Sequence, residues 1–209
     1  MAIGTVEFDL SMVNPNTGEY LTARAYTVEG VTNADGSPRL LSIGQLVMAI
    51  CLQRASDIEN AIITKMSEME LTSLQLEIMT AIESKIIEWP NMSPEPHNGY
   101  EHLYHDADKI SAPGSEYNGK TMEEFLRAMG VIDDGIECVR WRGNPDPNDI
   151  MYDDFIKALE AKMDEKNSFS QQSMIELQSL TNKRDQSYDM VSNILKSLNT
   201  VLVGNANNI

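Results

Sequence analysis

The sequence predicts a mainly α-helical protein, a long two-helix coiled coil with a small irregular α+β region between its helices. Three observations predict it. Residues 149–203 contain neither glycine nor proline, residues 42–89 contain no proline and only Gly44, and the stretch between them is broken by Pro90, Pro94, Pro96, Pro113 and Pro145. The organisation that follows is a leader over 1–41, a first coiled-coil helix over 42–90, a small middle domain over 91–145 and a C-terminal coiled-coil helix over 146–209.

The C-terminal segment carries the clearest period. Steps alternating between three and four connect Ile156, Leu159, Met163, Lys166, Ser170, Ser173, Leu177, Leu180, Arg184, Ser187, Val191, Ile194, Leu198 and Val201. This is a heptad seam, strongest in its last half. A narrow apolar stripe gains nothing while it faces water, so another helix must take it up. Leu177, Leu180, Arg184, Val191, Ile194, Leu198 and Val201 are therefore the candidate assembly residues. Lys166, Ser170, Ser173, Arg184 and Ser187 interrupt the seam. They read either as side chains reaching to water at the edge of a weak coil or, for Arg184, as a polar residue fixing register. Met174, Tyr188, Met190, Leu195 and Leu202 add apolar surface outside the seam, more than one partner helix covers.

The first long helix is marked at both ends. Ser42 caps it, Gln45 is the return partner of a capping box, and Leu41 with Leu46 form a hydrophobic staple. Pro90 ends it and pushes Trp89 out of helical geometry. Within it Ile58, Ile62, Met66, Met69, Leu76, Met79, Ile82 and Ile86 share one face. Continuous helices of these lengths run to roughly 70 and 80 Å, whereas a compact chain of this size has a radius of gyration near ~17 Å. The expectation is a rod of two paired helices, parallel or antiparallel, with the intervening residues at one end.

Loops dominate 91–145. One short helix is expected where Thr121 and Glu124 form a capping box, Phe125, Leu126 and Met129 supply an apolar stripe and Gly130 stops it. Val131 to Trp141 reads as a hairpin turning at Asp133 to Gly135. Asp146 then caps the last helix, with Pro147 in its first position and Asp149 near the positive end of its dipole. Ahead of Ser42, Val6, Phe8, Leu10 and Met12 alternate, Asn14 to Gly18 supplies a turn, and Tyr20 to Val28 continues in extended style. Both a β-hairpin and a flexible leader fit these letters.

Composition narrows the function. A net charge of −16 in 209 residues argues against nucleic acid and against electrostatic attachment to an anionic membrane. The longest apolar run, Leu46 to Leu52, is far shorter than the roughly 20 residues a bilayer demands. Residues 1–16 show no cleavable export signal. Cys51 and Cys138 form no metal-like spacing and no disulfide framework.

Two clusters have the residue types of metal sites. His97, His102 and His105 stand near Glu101, Asp106 and Asp108, and two histidines three apart suit one metal. Solvated histidines on a loop explain the same letters, and nothing else in the chain completes a metal site with a general base. Asp146, Asn148, Asp149, Asp153 and Asp154 are grouped like a calcium loop, but the turn glycine is missing and proline stands inside, so a charged helix start is the better reading. No phosphate cradle, nucleophile elbow or paired-thiol motif is present. The expectation is no enzyme, no catalytic residue, no bound metal and no cofactor.

The layout resembles a known family. LQSLTNKRDQSYDMVSNILKSL over Leu177 to Leu198, FIKALEAKM over Phe155 to Met163, and EIMTAIESKIIEWP over Glu77 to Pro90 are similar to the long helices of the needle-tip and filament proteins of bacterial type III secretion, the EspA, SseB and V-antigen groups. The resemblance covers both long segments and leaves out the middle domain and the residues before Ser42. It implies a structural protein exported through a needle by an uncleaved leader, found at the bacterial surface or outside the cell. Its implied partners are other copies of itself, the needle subunit, the translocator proteins and a dedicated export chaperone, with no transmembrane insertion of its own. The assembly surface the resemblance implies is the C-terminal coil from Leu177 to Val201. Two other readings compete: an intracellular coiled-coil adaptor or secretion chaperone using the same seam, and a metal-dependent enzyme centred on His102 and His105.

Overall fold

The computed structural model describes residues 3–13, 20–29, 32–37, 39–91, 99–103 and 109–206, of which 3–26, 28 and 201–206 are described by backbone alone. It is mainly helical. Strands β1 (Ile3–Val13) and β2 (Tyr20–Val28) precede helix α1 (Ile43–Ile86); a 3-10 turn (Trp89–Asn91), β3 (Tyr100–His102), α2 (Met122–Met129), β4 (Cys138–Arg140) and β5 (Asp149–Met151) follow; α3 (Tyr152–Ala206) is last. Two compact units result, one from Met1–Thr64 with Leu177–Ile209, the other from Lys65–Glu176.

In the first unit β1 and β2 pair antiparallel from Ile3 opposite Val28 to Val13 opposite Tyr20, with an irregularity between Asp9 and Val13. The hairpin reading of the N-terminal residues therefore describes these strands, while the proposed turn at Asn14 to Gly18 lies outside the described residues. Helix α1 begins as its residues dictate: the Ser42 amide donates to Gln45 Oε1 at 3.0 Å and the Gln45 amide to Ser42 Oγ at 3.3 Å. Leu46, Cys51, Ala55 and Ile58 are buried along it. Helix α3 runs antiparallel to α1 in this unit, for Tyr188 meets Glu59, Met190 meets Cys51 and Leu198 meets Gly44. A Cβ at Gly44 would stand 3.2 Å from Leu198 Cδ2, so the glycine makes room for that leucine.

The second unit has one hydrophobic core. Met79, Ile82, Ile86 and Trp89 come from α1 and its end, Phe125 and Leu126 from α2, Val139 from β4, and Phe155 and Leu159 from the first turns of α3. Phe125, Phe155 and Leu159 are wholly buried. The expected end of α1 at Pro90 is displaced: the α-helix stops at Ile86, Glu88 bonds back three residues to Lys85, and Trp89 and Pro90 lie in a 3-10 turn rather than Trp89 being pushed out of helical geometry. Helix α2 has its capping box, with Glu124 N 3.1 Å from Thr121 Oγ1 and Thr121 N 2.9 Å from Glu124 Oε2.

Two further expectations fail in this unit. Val131 and Ile132 are not a strand. Gly130, at φ 70°, stops α2, its amide bonds Arg127 O and the Val131 amide bonds Leu126 O, so Val131 closes the helix end with its apolar side chain buried. Arg127 then ties the following turn to α2 through the carbonyls of Asp133 and Ile136. Only Cys138–Arg140 remains extended, pairing antiparallel with β3 and parallel with β5 in a three-stranded sheet. Nor does Asp146 cap the last helix. Asp149–Met151 is drawn into the sheet, α3 starts at Tyr152, and Asp153 and Asp154 occupy its first turn.

Candidate functional site

The seam on α3 faces inward along its described length. In the second unit Leu159 and Ser173 are buried and Ile156, Met163, Lys166 and Ser170 partly buried. In the first unit Ser187 and Val191 are buried, and Leu177, Leu180, Arg184, Ile194 and Leu198 are partly buried. The side chain of Val201 lies outside the described residues. Each of the described seam positions is covered, in whole or part, by its own chain.

Helix α1 supplies a matching stripe. Its inward residues are Cys51, Ala55, Ile58 and Ile62 in the first unit and Lys65, Met69, Thr72, Leu76, Met79 and Ile86 in the second. Steps of three and four recur here too. Met66, expected on this face, is half exposed, and Lys65 takes the inward position. The seam therefore finds its partner within the chain. The signal missed in the sequence is the set of small and polar residues on α1, which keep the period without being apolar.

Polar residues in the stripe are satisfied locally. Lys65 Nζ lies 2.9 Å from Glu68 and 3.1 Å from Glu176, and 5.5 Å over the ring of Phe169. The bonds to Glu68 and Glu176 raise the Lys65 pKa, and the bond from Lys65 lowers that of Glu176. The buried hydroxyls of Thr72 and Ser187 bond back to the carbonyls of Glu68 and Lys183. Gln75 donates to the Tyr117 hydroxyl at 2.7 Å, joining α1 to the loop ahead of α2. Among the described residues no buried side-chain polar atom lacks a partner. Arg184 is not a buried register pin, since it reaches the neighbouring Asp185 at 2.9 Å on a partly exposed site.

Outside the seam, large apolar side chains face water. On α3 these include Phe169, Met174 and Ile175 in the second unit, and Tyr188, Met190 and Leu195 in the first. On α1 they include Ile43, Ile50, Leu52 and Ile63 in the first unit. Single exposed residues of this kind are ordinary on a protein surface.

The histidine cluster resolves in part. His102 lies on β3 with Nδ1 3.0 Å from the Cys138 thiol. Burial pushes that thiol up to about 11, aided by the nearby charges of Asp149 and Glu137, so it stays protonated at neutral pH and is a poor nucleophile. His97, His105, Asp106 and Asp108 lie outside the described residues. Among the described residues no three His, Cys, Asp or Glu side chains are placed to hold a metal ion, and no helix is long and apolar enough to cross a membrane.

Comparison with known proteins finds no matching family, no matching curated protein and no matching solved structure.

Proposed function

We propose that this chain is a structural subunit of a type III secretion needle tip or extracellular filament, not an enzyme. In this reading α1 and α3 form a coiled coil, the C-terminal half of α3 is the part through which copies assemble, and the assembly supports insertion of the translocators. The observation that carries it is the pairing of two very long helices whose inward faces keep a heptad period while their outer faces hold exposed Leu, Ile, Met and Tyr side chains. The resemblance of Leu177 to Leu198 and of Glu77 to Pro90 to tip and filament proteins supports the same assignment. The needle subunit, the translocators and an export chaperone are the partners it entails, and the bacterial surface is the location.

Fractionation of a culture tests it. The chain accumulates in the medium of a strain with an intact export ATPase and is retained in cells that lack it. Equal retention in both strains points instead to an intracellular adaptor and overturns the proposal.

A further inference from the structure

In the second unit a groove of about 290 Å³ lies between α1 and the segment ahead of α2. One wall is a single face of α1, where Leu74, Ile78, Ala81 and Lys85 recur at steps of four, three and four. The other is residues 109–112 with Met122 from the start of α2. That second wall is held in place: the Gly119 amide bonds Ile110 O, the Ala112 amide bonds Asn118 Oδ1 at 3.1 Å, and Tyr117 is tied to Gln75 of α1. The floor is apolar, with Ile78, Ile82, Ala112 and Met122 all buried. The rim is exposed and carries three charged side chains, Lys85, Lys109 and Glu77. A chain of net charge −16 thus places an excess of one positive charge around an apolar trough.

We propose that this groove binds a free single-chain alkyl carboxylate, its chain along the apolar floor and its head beside the lysines. Shape, size and charge select that class. From Leu74 to Lys85 the α1 wall runs about 16 Å along the helix axis. The volume stands at the bottom of the roughly 300–1,000 Å³ range of small-molecule sites, so a groove of that length is narrow and admits one chain rather than a two-chain lipid. The rim's single excess positive charge matches a singly charged head, and the acidic remainder of the chain repels the same anion elsewhere. The groove belongs to the second unit and the proposed assembly coil over 177–201 to the first, so this binding does not require self-assembly.

Isothermal titration calorimetry of the full chain with decanoate, kept below its micelle-forming concentration, tests this. The wild type takes up one decanoate per chain. Lys109→Ala binds it about tenfold more weakly, as does the wild type with decanol, which has the same chain and no charge. Acetate, a head without a chain, gives no binding. Ala81→Trp, a substitution at an exposed position of the groove wall, fills the trough and abolishes binding, whereas Ile175→Glu, at an exposed apolar residue outside the groove, leaves it unchanged. If Ala81→Trp loses helix by circular dichroism, the smaller Ala81→Leu weakens binding on a folded chain. A wild type that binds no decanoate overturns the assignment, and so does binding that the Ala81 and Lys109 substitutions leave unchanged. Decanol bound as tightly as decanoate overturns the carboxylate.

Discussion

Arg140 and Asp149 join two neighbouring parallel strands, Arg140 Nε donating to Asp149 Oδ2 at 2.6 Å. The Asp149 carboxylate also accepts from the Asp146 amide at 2.9 Å, and the Arg140 guanidinium lies 4.9 Å over the ring of Tyr100 on β3. One ion pair thus touches all three strands of a sheet whose strands are only three residues long. Burial raises the pKa of Asp149, but the Asp146 amide and Arg140 outweigh it and hold the carboxyl below its ordinary value. A group with a depressed folded pKa stabilises the fold above its unfolded pKa and stops doing so as pH falls through the folded one. Asp149→Asn should therefore cost about 1–3 kcal/mol at pH 7, and the gap should close as pH drops below about 4. Urea titrations of both chains across that range check it.

Phe155 anchors α3 to the second unit, wholly buried beside Phe125 and Leu159 in one core. Truncation leaves a cavity that surrounding helices cannot fill without moving. Phe155→Ala should lower stability by about 3–5 kcal/mol, seen as a lower urea midpoint, and the loss should be largest for tryptophan fluorescence, since Trp89 reports on the same core.

The capping box at Thr121 and Glu124 is reciprocal, each side chain satisfying the other's amide. Thr121→Ala removes one acceptor and should cost about 1 kcal/mol. Thr121→Asp retains an acceptor beside the helix N-terminus and should restore most of that loss. Thermal melts of the three chains decide it.

Both cysteines are buried, and the Cys138 thiol has a pKa pushed up to about 11 by burial. Native protein at pH 8 should react with a thiol reagent far more slowly than the same chain in denaturant, where Cys138 becomes an ordinary thiol. Rapid labelling of Cys138 in the native state contradicts its described burial.

These elements differ in how far they could be read from the letters alone. The start of α1 and both ends of α2 were legible because caps are local: Ser42 with Gln45, Thr121 with Glu124, and Gly130 each act within a few residues. The three-stranded sheet was not, because a three-residue strand is too short to show a period of two and its partners lie up to 40 residues away in the chain. Asp149 looked like a helix-start residue and instead serves Arg140, a pairing visible only once β4 and β5 are adjacent. The seam of α3 was plain in sequence, but its destination was not. Cys51, Ala55, Lys65 and Thr72 continue the matching stripe on α1 with residues that an apolar count overlooks.

The central claim is that this chain assembles with itself. Sedimentation velocity of the unmodified protein over a wide concentration range tests that most directly. The account predicts species heavier than the 23.4 kDa chain whose share grows with concentration. A single 23.4 kDa boundary at every concentration contradicts it.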